Sequence, residues 1–87
     1  MKVSVWDTYV LREDGKQMHF DIVVPSSLTD EITIFNFGKS YLKDKSFGTK
    51  DLTSKECKFC HIEHASDEII STINKNGFYI IEIENCN

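Results

Sequence analysis

Residues 56–64, ECKFCHIEH, hold two of the chain's three cysteines and two of its three histidines. Donors of these types support two chemistries. Cys57 and Cys60 have the spacing of a zinc knuckle, in which a tight turn brings two thiolates to one ion at about 2.3 Å. His61 or His64 would add a third ligand and Cys86 the fourth. The same two cysteines would do thiol–disulfide chemistry if a helix N-terminus lowered the pKa of one of them. The local sequence weighs against both. No glycine follows Cys57 to ease the turn, and Phe59 is bulky there. If residues 56–62 are extended, Cys57, Phe59 and His61 share one face while Cys60 and Ile62 point the other way, and two thiolates on opposite faces cannot chelate one ion. The next helix cap, Ser66, lies six residues past Cys60, beyond the reach of a helix dipole. The stretch is therefore expected to be a core strand, with Phe59 buried beside Cys57 and His61 reaching Asp7 or the region of Cys86. A zinc- or thiol-dependent site on Cys57, Cys60, His61 and Cys86 is the alternative, and zinc is the cofactor it would need.

A second group of polar side chains stands near the N-terminus. His19 and Asp21 fall on one strand face, where Asp21 would orient His19 as a general base and Trp6 would floor a small pocket. No serine or cysteine adjoins the pair in sequence to serve as a nucleophile. A semi-exposed polar face under a helix end explains the pair more simply. Asp7 interrupts an otherwise apolar strand face. A carboxylate buried there needs a partner, since unpaired burial costs several kcal/mol. A helix N-terminus, His61 or a tyrosine hydroxyl would serve, and a structural role is expected for Asp7.

These side chains need a scaffold. Val3, Val5, Asp7, Tyr9 and Leu11 alternate with Lys2, Ser4, Trp6, Thr8 and Val10. Asp14-Gly15 follows, a dipeptide suited to a two-residue type I′ turn. The second strand, 17–24, ends at Pro25. A two-residue loop sets Leu11 against Met18, Tyr9 against Phe20, Asp7 against Ile22 and Val5 against Val24. Thr8 then opposes Asp21 and Val10 opposes His19. Ser27 or Thr29 caps a helix reaching Leu42, with an apolar stripe of Leu28, Ile32, Phe35 and Leu42 widened by Phe37 and Tyr41 and interrupted by Gly38. Residues 43–53 form a polar loop. Ser66-Asp67-Glu68 begins a second helix that turns Ile69, Ile70 and Ile73 inward and stops at Asn76-Gly77. The final strand, 78–84, is apolar on both faces in its first half, which predicts a central position. The order is β-β-α-β-α-β: one α+β domain over residues 1–87, with two helices packed on a small mixed sheet.

The totals set further bounds. A chain of 87 residues buries roughly 60–65% of its unfolded surface. Six Phe, three Tyr and one Trp supply a core, so folding requires neither metal nor disulfide. A formal charge of -4 and a pI near 5.2 exclude the basic face that nucleic-acid binding wants. No apolar run is long enough to span a membrane. The N-terminus reads as a strand and not as a signal peptide. The odd cysteine count suits a reducing cytoplasm.

VWDTYV at 5–10, MHFD at 18–21, ECKFCH at 56–61, a helix starting near Asp67-Glu68, and the ending NGFYI followed by ENCN together resemble a family of short bacterial proteins. It is catalogued as domain of unknown function number twenty twenty-four. The resemblance covers nearly the whole chain and implies a small single α+β domain without an assigned activity. The expected function is that of a cytoplasmic binding or accessory module, with a homodimer compatible with its strand edges and Trp6. A small enzyme using His19 and Asp21 ranks below both this and the cysteine-site alternative.

Overall fold

The alternation of the first 25 residues folds as a hairpin, β1 (Lys2–Leu11) with β2 (Gln17–Pro25), at the centre of a four-stranded sheet. In the computed structural model, which describes residues 1–52 and 56–87, β3 (Cys57–His64) flanks β1 and β4 (Tyr79–Glu84) flanks β2. Helix α1 (Glu31–Lys43) packs on one face and α2 (Asp67–Asn76) on the other. Thr53, expected at the end of the polar loop, lies outside the described residues. The β-β-α-β-α-β order and α+β class are those expected. The sheet is antiparallel in all three pairings, not mixed. β4 is an edge strand, not a central one. Its two-sided apolarity has another cause: Phe78 and Ile80 pack with the α1 core while Tyr79 and Ile81 pack with the α2 core.

The hairpin register differs by one residue from the one expected. Tyr9 faces His19, Asp7 faces Asp21, and Leu11 faces Gln17. The turn explains the shift. A type I′ turn needs positive φ at both central residues, but of the two only Gly15 has it, at 90°. The loop is instead three residues long. Gly15 N–H donates to the Arg12 carbonyl at 3.0 Å and Arg12 N–H to the Lys16 carbonyl at 2.8 Å. This is a type I turn closed by a left-handed glycine. Asp14 braces it by accepting from Lys16 N–H at 3.2 Å and from the Arg12 guanidinium at 2.7 Å. One residue of slip exchanges strand faces. Met18, Phe20, Ile22 and Val24 therefore share a buried face with Trp6, Thr8 and Val10, while Tyr9 and Leu11 are left 44% and 45% exposed.

Helix α1 starts later than Ser27 or Thr29 would place it. Asp30 is its cap and accepts from Ile32 N–H at 3.2 Å. Its buried stripe runs through Ile34 and Gly38, and Ile32 is exposed. Gly38 is the point of closest approach to the sheet: a Cβ there would lie 2.6 Å from Leu52 Cδ2 and 3.0 Å from Ile22 Cδ1. Helix α2 has the cap and stop expected, with Ile73 buried and Ile69 packed beside it, while Ile70 joins neither core. Ser66 caps Ile69 N–H at 3.3 Å, and Gly77 ends the helix with φ 90°.

The two helices cover unequal lengths of sheet. Ten residues of β1 run roughly 30 Å, whereas ten residues of α2 reach only about 15 Å. On its face α2 covers Val3, Val5 and Val23. Among the described residues, no helix packs over the rest of that face, beginning at Asp7 and Asp21.

Candidate functional site

Strand pairing builds a polar cluster on this uncovered half. Asp7 and Asp21 are directly opposed across β1 and β2, as are Tyr9 and His19. The tyrosine and imidazole rings stack at 4.0 Å and 13°, which orients the imidazole. His19 Nε2 lies 3.7 Å from Asp7 Oδ1 and 3.6 Å from Asp21 Oδ1. Asp7, His19 and Asp21 each offer one donor atom, and the three atoms lie within 4.8 Å of one another. His19 Nε2 and Asp21 Oδ1 are buried atoms without a hydrogen-bond partner. Beside the cluster is a cleft of about 370 Å³ lined by Asp7, Tyr9, Gln17, Glu56 and Lys58.

The carboxylates divide one proton unequally. Burial, then the hydrogen bond and charge of Asp7, push Asp21 up to about 6. Asp7 is held below its ordinary value, first by the hydrogen bond from Asp21 and then by Cys60 and His19, against an opposing effect of burial. Two carboxylates this close cannot both ionise freely.

The third strand adds to the cluster through an irregularity. Val5 pairs with His61 but Trp6 pairs with Phe59, so Cys60 is an extra residue at a bulge. The bulge re-aims the chain and brings the Cys60 thiol to Asp7. His61 Nδ1 lies 3.1 Å from Cys60 Sγ, and its Nε2 lies 3.0 Å from Glu63 Oε2. His61 therefore does not share a face with Cys57 and Phe59, and its partners are Cys60 and Glu63, not Asp7 or the Cys86 region. Phe59, expected in the core, is 52% exposed and meets Trp6 edge-on at 5.6 Å. At the edge of the sheet no helix is left to bury it.

The cysteines occupy separate places. Cys57 is buried in the α1 core and its sulfur accepts from Thr8 Oγ1 at 3.6 Å. Cys86 is in the same core and donates to the His19 carbonyl at 3.3 Å. Cys60 is exposed, on the side of Asp7. The set Cys57, Cys60, His61 and Cys86 is not brought together, and the zinc-knuckle alternative has no geometric support. All three thiols are unbridged. Burial raises the pKa of Cys57, and partial desolvation followed by the Asp7 charge raises that of Cys60. Both thiols are held in the neutral form, the opposite of what a redox nucleophile needs.

Sequence reasoning singled out His19, Asp21 and Asp7 but placed Asp7 on the wrong face. It missed Tyr9 and the approach of Cys60. A signal was available: Met18, Phe20, Ile22 and Val24 align with the even residues of β1, leaving every charged residue between positions 7 and 21 of the paired strands on one face.

A family model described as a domain of unknown function (DUF2024) matches residues 1–83. The NMR structure of protein NE1680 from Nitrosomonas europaea, a structural-genomics target, is similar, with 39% sequence identity, a TM-score of 0.81 and 100% of each chain covered. No curated protein matches the chain. The match over nearly the whole length, together with the shared fold, shows that the chain belongs to the DUF2024 family, for which no activity is assigned.

Proposed function

We propose that the protein is a small binding module that takes a cationic ligand on the uncovered half of its sheet. One observation carries this reading: His19 Nε2 and Asp21 Oδ1 are buried and unpartnered beside an open cleft. Each unsatisfied buried polar atom costs about 1–3 kcal/mol, which a ligand meeting both would offset. The paired carboxylates set the sign of that ligand's charge. Nucleic acid is disfavoured as a partner, because the cluster and the whole chain are acidic. An enzymatic role for His19 is also disfavoured. A general base must face the proton it removes, whereas Nε2 faces two carboxylates. Three unbridged cysteines fit a cytoplasmic location. No helix among the described residues is long and apolar enough to cross a membrane.

An NMR titration with zinc, magnesium and spermidine tests the reading. At least one of these cations should shift the amide signals of Asp7, Tyr9, His19 and Asp21 while leaving Val3, Val5 and Val23 in place. Failure of all three to shift the first set, or shifts centred on the α2-covered residues, would overturn it.

A further inference from the structure

Resting on that reading, we propose that His19 Nε2 and one carboxylate oxygen each from Asp7 and Asp21 form a three-ligand site for a first-row divalent transition ion, beside the cleft that Asp7 lines. The donor spacing supports this. Metal–nitrogen and metal–oxygen bonds of about 2.0–2.1 Å place adjacent tetrahedral ligands roughly 3.3–3.4 Å apart by simple geometry. The observed 3.6 and 3.7 Å need to close by only a few tenths of an ångström. The same distances are too long for hydrogen bonds, so His19 Nε2 converges on both carboxylates without being satisfied by either.

The donor set narrows the ion. Calcium takes six to eight oxygens and magnesium keeps several waters. One imidazole with two carboxylates suits zinc and its neighbours better. A dication also neutralises the pair of carboxylates, which removes their mutual repulsion. Neighbouring side chains hold two of the ligands in place. Tyr9 fixes the His19 ring by stacking, and the Cys60 thiol hydrogen-bonds Asp7. Asp7, His19 and Asp21 stand on the two central strands, each paired with a neighbouring strand on both sides.

The test uses the full chain, treated with chelator and titrated with zinc by calorimetry, and with cobalt as a spectroscopic probe. One zinc ion should bind per chain. His19→Gln and Asp21→Asn should each weaken binding at least 100-fold while keeping the native circular dichroism. Cys57→Ser, on the opposite face of the sheet, should stay within tenfold of the parent. If His19→Gln fails to fold, Asp7→Asn gives the same reading from the other strand. Bound cobalt should show the visible bands of a four-coordinate ion without thiolate charge transfer. A strong thiolate band, or zinc binding indifferent to His19 and both aspartates, would overturn the ligand set. Spermidine binding at the cluster without zinc binding would overturn the metal proposal and leave the cationic-ligand reading standing. Binding of none of zinc, magnesium and spermidine would end both.

Discussion

The two halves of one sheet face, built by the same pair of strands, have opposite characters. Val3, Val5 and Val23 lie under α2 with essentially no exposed surface. Two residues further along each strand, Asp7 and Asp21 face each other, followed by Tyr9 and His19. The change in composition falls where the helix stops. A helix of about 15 Å on a strand of about 30 Å leaves room for one apolar patch and one site. Stability is concentrated in the first half, and the second is free to carry donors that are poorly satisfied in the protein alone.

The sharpest way to break this contrast is to place a charge on each half. Val5→Asp buries an unpaired carboxylate under α2 and should cost about 4 kcal/mol or more. The whole domain holds only roughly 4–13 kcal/mol at 0.05–0.15 kcal/mol per residue. Loss of the cooperative urea transition is the expected result. Leu11→Asp, on the uncovered half of the same strand, should stay within about 0.5 kcal/mol. Equal losses at the two positions would mean the halves do not differ as described. A smaller change acts on the helix itself. Ile73 is 5% exposed and is the buried residue of α2. Ile73→Ala should cost about 2–4 kcal/mol through the cavity it leaves, measured by the urea midpoint. An unchanged midpoint would show that α2 adds little to the covered half.

The covered half was legible in the sequence and the site was only partly so, for a physical reason. Ser66, Asp67 and the Asn76-Gly77 stop define α2 through local hydrogen bonds that need no tertiary knowledge. Element order and fold class followed from periodicity. The site depends on register, and register depended on whether both Asp14 and Gly15, or Gly15 alone, take positive φ. That choice is worth little energy locally and is decided by which strand face packs on α1. The bulge at Cys60 was beyond reach for a similar reason. Nothing local in ECKFCH marks an extra residue, and the bulge arises only in pairing with Val5 and Trp6. His19 and Asp21 could be named early because residues two apart share a strand face in any register.

Asp21→Asn tests whether the uncovered half gives up stability to hold its donors. Asp21 titrates at about 6 in the fold, against an ordinary value of 3.8. Between these values the folded chain binds more protons than the unfolded one, so the group's contribution falls as pH rises through that window. Below 3.8 it is protonated in both states and carries no penalty. Above about 6 the penalty is complete. Asparagine removes the charge and keeps a donor for Asp7. The gain should be on the order of 1 kcal/mol at neutral pH, after allowing for solvent screening at the cleft, and should vanish in acid below the ordinary carboxylate value. Urea midpoints at the two pH values measure it. A gain of the same size at both would mean that burial of the charge is not its cause. Such a variant would be more stable and worse at binding, as expected where a site is held at a cost to the fold.

The smallest expected effect concerns the ring that orients His19. Tyr9 is 44% exposed and packs into neither core, so its contribution should come from its stack on the imidazole at 4.0 Å. Aromatic pairs add about 0.5–1.5 kcal/mol, and an exposed pair belongs at the lower end. Tyr9→Ala should therefore cost about 0.5–1 kcal/mol, including the weaker strand preference of alanine. Tyr9→Phe keeps the ring and should be nearly neutral. The His19 ring protons provide a second measure. Their upfield ring-current shift should disappear in Tyr9→Ala and survive in Tyr9→Phe. If phenylalanine is as damaging as alanine, the hydroxyl and not the stack matters. The imidazole would then be positioned by the two carboxylates alone, which would make the uncovered half a looser site than the rigid face that binds α2.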